Sequence, residues 1–206
     1  MRTLLVSLLS AFLLVPATAQ ERSGPKKNPT FPEAIEIAKK NVEQEKLGAA
    51  IAVLQAAIKD LQKKQRAAVL AALPKPEGWT VRDQAPDAAS EDVAAGLLGV
   101  GSTTTRRYDK GDANISVEIT ANSPLMQMLS MMFANPALVE ADGGELVKYG
   151  QHKAILKKSG DEGCELMLLM HETHLIKVTA QGLGADGLLA IFDQACVDRL
   201  EKPLGK

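Results

Sequence analysis

The sequence predicts an α+β fold: an antiparallel sheet of about six strands covered by helices and preceded by a helical hairpin. Three observations carry that expectation. Apolar residues recur at helical spacing from residue 30 to residue 73, and after Pro76 the pattern changes to alternation. The alternating segments are joined by short Gly-containing or polar turns, whereas parallel neighbours need crossovers of a dozen residues or more. Helical segments bracket the strand runs instead of alternating with them one for one, which is the element order of an α+β domain.

The chain opens on Arg2, an apolar run from Leu4 to Val15, and the small residues Pro16-Ala17-Thr18-Ala19. Positive start, apolar middle and small-residue end are the three parts of a secretory signal peptide, expected here over residues 1–19. An apolar run of about a dozen residues is shorter than the roughly twenty that cross a bilayer, so no membrane span is expected after cleavage. No Cys follows the small residues, which closes the lipoprotein route. The expected destination is export, to the periplasm or otherwise as a secreted protein. Residues 20–29, QERSGPKKNP, are polar with no apolar period and read as a flexible linker. Charge is nearly balanced, 24 Lys and Arg against 25 Asp and Glu, so nothing marks a nucleic-acid or anionic-lipid surface. Aromatic residues make up 3% of the chain, too few for base or sugar stacking platforms.

A helical hairpin is expected over residues 30–73. Thr30 and Glu33 have capping-box spacing, and Pro32 sits in the first turn, where its missing N–H costs little. Ile35, Ala38 and Val42 follow at helical spacing, and Gly48 reads as the break. From Ala49 a second helix carries Ile51, Leu54, Ile58 and Leu61 on one face, with Lys59, Asp60, Lys63 and Lys64 away from it, until Pro74 and Pro76 stop it. The run Leu47-Gly48-Ala49-Ala50-Ile51-Ala52-Val53-Leu54-Gln55-Ala56-Ala57-Ile58 resembles a tetratricopeptide repeat, over about one repeat with no second copy. One repeat cannot bury its own face. The stripe is therefore expected to dock on the rest of the chain. The alternative is a partner-binding or dimerising helix pair using Ile51, Leu54 and Ile58.

An α+β globular domain is expected over residues 77–201. Gly78 to Arg82 is a strand candidate. Ser102 to Tyr108 and Asn114 to Thr120 form a hairpin about the turn Asp109-Lys110-Gly111-Asp112, with Ile115, Val117 and Ile119 alternating against polar neighbours. Ser123 and Pro124 have the residue types of a helix start. The helix they open contains Met126, Met128, Leu129, Met131, Met132 and Phe133 and falters at Asn135-Pro136. Four more strands are expected at 145–149, 152–158, 164–170 and 175–180, then an amphipathic helix from Ala185 to Leu200. In element order this part is similar to PsbP-like exported domains, antiparallel sheets sandwiched by helices. That resemblance implies a fold and no activity.

Leads to chemistry are few. His171-Glu172-Thr173-His174, with His152 and Met170, could supply copper or zinc ligands at His171 and His174, but the spacing is not that of a zinc-protease helix, and the residues fall in a turn. The Met-rich helix is apolar nearly all round, which fits core packing first, then a groove for an apolar ligand or protein partner lined by Met128, Met131 and Met132, and last Cu(I). Cys164 and Cys196 form an even pair in a chain bound for an oxidising compartment, so a disulfide is expected over two buried thiols. No G-x-S-x-G or C-x-x-C occurs, and Gly99-Val100-Gly101 lacks the third glycine of a dinucleotide loop. The functional expectation is an exported, non-catalytic binding or envelope-assembly protein. Its rival is a periplasmic metal-binding protein using His171, His174 and Met side chains.

Overall fold

The computed structural model describes residues 28–84, 103–121, 125–160 and 162–205. The leader, most of the linker, Gly99 to Ser102 and Ser123-Pro124 lie outside the described residues.

The hairpin comes first. Helix α1 spans Phe31–Glu43 and α2 spans Leu47–Ala72. The start of α1 follows its residues: the Thr30 backbone N–H donates to the Glu33 carboxylate at 2.7 Å and the Thr30 hydroxyl donates to it at 2.8 Å, satisfying a donor that the helix itself cannot. Alanines form the seam between the helices, with Ala34 and Ala38 of α1 and Ala50 and Ala57 of α2 all buried. The break falls at Gln44–Lys46, three residues before Gly48, because Glu45 takes the left-handed conformation at φ 57°. Gly48 is an ordinary residue of the first turn of α2.

Seven strands then form one antiparallel sheet, against the expected count of about six, although each overlaps a segment named above: β1 (Thr80–Gln84), β2 (Thr103–Lys110), β3 (Ala113–Ala121), β4 (Gly144–Tyr149), β5 (His152–Ser159), β6 (Gly163–Met170) and β7 (His174–Gln181). Their spatial order is β1-β2-β3-β7-β6-β5-β4. Between β3 and β4 the chain runs through α3 (Leu125–Ala134) and α4 (Pro136–Ala141), which carry it to the far edge. From there it meanders back until β7 pairs with β3 along eight residues, Asn114↔Gln181 to Ala121↔His174. The first strand, β1, expected at Gly78 to Arg82, runs instead over Thr80–Gln84, with little apolar alternation to mark its bounds. It is an edge strand held by charge: Arg82 pairs with Asp109 at 2.7 Å, and Asp83 receives both Nε and Nη2 of Arg106.

Two cores lie on opposite faces of the sheet. On one face Tyr108, Ile115, Val117, Leu166, Leu168, Met170, Ile176 and Val178 pack against the C-terminal end of α2 (Val69, Leu73) and the two last helices, α5 (Ala185–Ile191) and α6 (Gln194–Glu201). On the other, Leu129 and Phe133 of α3 and Val139 of α4 close over Ile155 and Met167. Here β6 carries apolar residues on both faces, Leu166 and Leu168 one way and Met167 the other, as a strand covered on both sides must. Along β2 and β3 that second face is polar, with Arg107 and Glu118 exposed.

Two sequence expectations are corrected here. The helix expected from Ala185 to Leu200 is two helices. Asp193 stops the first and caps the second, its carboxylate accepting the Cys196 backbone N–H at 2.8 Å, so the chain turns at Phe192 and drives that ring into the core. The cysteines are free thiols, not a disulfide: both lie in the same core, Cys164 on β6 with its Sγ directed at the Leu183 carbonyl at 3.7 Å, Cys196 fully buried in α6. Burial pushes the Cys196 thiol up to about 12, leaving it protonated and unreactive at neutral pH.

Candidate functional site

The docking expected of the helical stripe occurs only at its end. Val69 and Leu73 of α2 enter the core, while Leu47, Ile51, Ile58 and Leu61 are 58%, 55%, 49% and 41% exposed. Leu54 is half-buried between them. On α1, Phe31 and Val42 are exposed as well and Ile35 is half-buried, while the exposed Ile37 lies about 60° round from Ala34 in the opposite sense, off this face. A helix advances about 100° per residue. Phe31, Ile35 and Val42 lie about 60–100° round from Ala34, and Leu47, Leu54, Ile51 and Ile58 about 40–100° round from Ala50 in the same sense. Because the two helices run antiparallel, equal rotation from the alanine seam brings both sets to one side of the pair. The outcome is a continuous apolar face two helices wide.

The base of this projecting pair is fastened by polar side chains of the body. Arg106 Nη1 donates to the Leu73 carbonyl at 3.4 Å, Tyr108 Oη to the Pro74 carbonyl at 3.1 Å, and Arg199 Nε to the Ala72 carbonyl at 3.1 Å. From the helix side, Gln65 Nε2 donates to the Pro203 carbonyl at 3.1 Å, and Arg66 donates to the Gln84 carbonyl. The first three take up carbonyls at and just past the end of α2, and the other two tie its last turns to the body, so the helix leaves the sheet in a defined direction. Sequence reasoning missed all five side chains. The signal for Arg106 was its register, since alternation in β2 sets it on the face of Thr104 and Tyr108. Burial raises the Tyr108 hydroxyl to about 12, so it stays a donor at neutral pH.

The histidines divide. His174 is buried on the core face of β7, its Nδ1 3.0 Å from the Thr173 hydroxyl, and helps line a cleft with Gln65, Arg66, Thr104, Ile119 and Leu204. That cleft holds about 10 Å³, the space of one water molecule. His171 stands in the β6–β7 turn with φ 52°, followed by Glu172 at 57°, two non-glycine residues in a conformation that costs each about 1–2 kcal/mol. Its ring meets the edge of His152 with centroids 6.2 Å apart, and His152 Nε2 lies 3.0 Å from Glu201. Among the described residues no group of three or more His, Cys, Asp or Glu is arranged to hold a metal ion.

Burial, and secondarily the charge of His171, lowers the His174 pKa. The unfolded chain therefore takes up a proton near pH 6.5 before the folded one does. Stability is full above that pH and falls as pH drops through it, levelling once the folded-state value is passed. Urea midpoints measured at pH 8, 6.5 and 5 should decrease in that order, and His174→Gln should flatten the decline. An unchanged slope in the variant would rule His174 out as its source.

The Met-rich segment turns one flank inward and another outward. Met126, Leu129 and Phe133 are buried, Met132 is half-buried against the second core, and Met131 is 60% exposed, as is Leu138 on α4 at 49%. The side chain of Met128 lies outside the described residues. The partner-binding residues expected from the sequence thus fall in two places, Ile51, Leu54 and Ile58 on the hairpin and Met131 with Met132 on the far face of the sheet. Comparison with protein-family models, with curated proteins and with solved structures finds no match to this chain.

Proposed function

We propose that the protein is a non-catalytic binding component of the cell envelope, freed outside the cytoplasm by removal of residues 1–19, and that its helical hairpin is the element that engages a protein surface. One observation carries the reading: an apolar face formed by α1 and the first half of α2 stands in water on a base fastened to the body. Contiguous exposed apolar patches on proteins mark interaction sites more often than scattered exposed residues do, and amphipathic helices bind through such i, i+3, i+4, i+7 anchors. The alanine seam keeps the two helices close enough to present the face as one surface.

A photo-crosslinking residue placed at Ile58 in living cells tests this. The expected result is a discrete protein adduct from the processed, exported form, lost when Ile51→Glu is added. No adduct from position 58 would sink the reading, as would recovery of the product in the cytosol with Met1 intact. The double variant Ile51→Glu, Ile58→Glu should keep its helix content and stay within about 0.5 kcal/mol of the parent, as exposed sites do. Unfolding would place those residues in the core and refute the surface assignment.

A further inference from the structure

We infer that the strap following α6, residues 202–205, is an acid-opened latch: at neutral pH it shuts His174 from water, and a proton on His174 releases it together with one tie on the helical hairpin. The latch is a property of this chain alone. Only its use, setting the direction in which the hairpin meets a partner, rests on the binding reading above.

The three histidines of the chain meet at one corner of the sheet. His174 opens β7 beneath α2 and is 9% exposed. To its cleft α2 contributes Gln65 and Arg66, β2 Thr104, β3 Ile119, and the strap Leu204, which is 3% exposed. The groups near the ring that carry charge are cations or become cations: Arg66 on α2 and His171 in the neighbouring turn. Thr104, Ile119 and Met170, the last opposite it on β6, carry none. Arg106, farther along β2, is spent on Asp83, and Glu172 and Lys202 are exposed to solvent. Among the described residues no carboxylate lines the cleft. A buried imidazolium without a counter-ion is costly, so the ring is neutral while the cleft is closed and must reach water to take a proton.

The strap is the wall with least to lose. Strands β2, β3 and β7 are locked in the ladder, and α2 is docked by Val69 and Leu73 and by the bonds at its end. The strap rests on the burial of Leu204 and on one bond to α2, from Gln65 Nε2 to the Pro203 carbonyl at 3.1 Å. A further bond, from the Leu204 N–H to the Leu200 carbonyl at 3.1 Å, joins it to the end of α6. Its root answers acid in the opposite sense. Glu201 lies 3.0 Å from His152 Nε2 and also accepts from Gln151, with the Glu201 and His152 side chains each 12% exposed. A proton on His152 makes that contact an ion pair. Acid thus holds the strap at Glu201 and frees it beyond. Opening takes the Pro203 carbonyl from Gln65 and leaves Arg66 with Gln84 as the tie where α2 leaves the sheet, so the hairpin gains angular freedom without unfolding its base.

Native-state hydrogen exchange of the chain from Gln20, followed by NMR at pH 7.5 and pH 5, tests this. With the strap open His174 takes its proton near pH 6.5, and with it closed only below that value. Protection of the Leu204 amide, corrected for the intrinsic rate, should therefore be full above that pH and fall at least about fivefold by pH 5. The opening should be insensitive to low urea, as local openings are, while amides of the β3–β7 ladder exchange with the urea dependence of the whole sheet. His174→Gln and His174→Leu should both abolish the fall. Leu204→Ala, which removes the cover and leaves the ring, should raise the His174 titration toward about 6.5. Equal Leu204 protection at the two pH values in the parent chain overturns the inference whatever any variant does. Exchange of Leu204 with the urea dependence of the ladder does so as well. Survival of the fall in a folded His174 variant overturns it too, and so does an unmoved His174 titration in Leu204→Ala. None of these readings involves the apolar face of the hairpin, so they stand or fall apart from the position-58 crosslink.

Discussion

Phe192→Ala should destabilise the protein by about 3–5 kcal/mol, the range for emptying a buried aromatic site. The ring is 1% exposed in the core beneath α5 and α6. It sits at the bend between those helices, where the Phe192 carbonyl accepts the Tyr149 hydroxyl and Asp193 caps the next helix. Fixed on both sides by these bonds, the backbone has little freedom to collapse into the space left behind, which places the cost high in its range. For a chain of this length the loss corresponds to a fall in melting temperature of about 10 °C. Urea unfolding and calorimetry on both proteins would measure it. A cost below about 1.5 kcal/mol would mean that the two helices move freely on the sheet and that the packing described here is wrong.

Asp83→Ala should cost about 2–3 kcal/mol, more than Arg106→Met at about 1–2, although only the arginine is buried. The Arg106 side chain is 4% exposed and its partner 43%. Removing the carboxylate strands a cation away from water, which is the expensive way to break such a pair. Removing the arginine leaves a carboxylate that water can reach and a Leu73 carbonyl short of one donor. The half-exposure of Asp83 holds both figures below those of fully buried pairs. The double variant should be no worse than Arg106→Met alone, because the aspartate then has nothing left to neutralise. A double-mutant cycle of denaturation free energies checks this, and strict additivity would refute the coupling. The pair also depends on acid. The Arg106 guanidinium holds the Asp83 carboxyl below its usual range, so its contribution is full above about pH 4 and is lost as pH falls through the lowered value. Since the same arginine bonds the end of α2, either substitution should also loosen the hairpin root, visible as faster amide exchange from Val69 to Leu73.

Much of the fold was legible because period and punctuation are local properties. The β2–β3 hairpin, the four-strand meander and the capped start of α1 all follow from alternation, turn residues and one capping pair. The edge strand β1 was legible at Gly78 to Arg82, but its bounds were harder to read, because Arg82–Asp109 and Asp83–Arg106 join residues far apart in sequence. The split at Phe192 was hidden by an apolar pattern that runs on through it; Asp193, an acidic cap in mid-pattern, was the signal. Of the candidate site, Ile51, Leu54 and Ile58 were readable as a stripe. Whether the stripe was covered was not, since helical spacing is the same for a face docked on its own sheet and for one left in water.

The amino-acid sequence alone settled the fold class, the antiparallel pairing and the apolar identity of the hairpin face, because each depends on residue type at short range. Tertiary structure decided which end of α2 docks, that Cys164 and Cys196 are buried as thiols, and that His174 goes under the helix while His171 meets His152. Those outcomes depend on where distant carbonyls, rings and charges come to lie once the sheet has closed, and burial at any one position is set by everything packed around it.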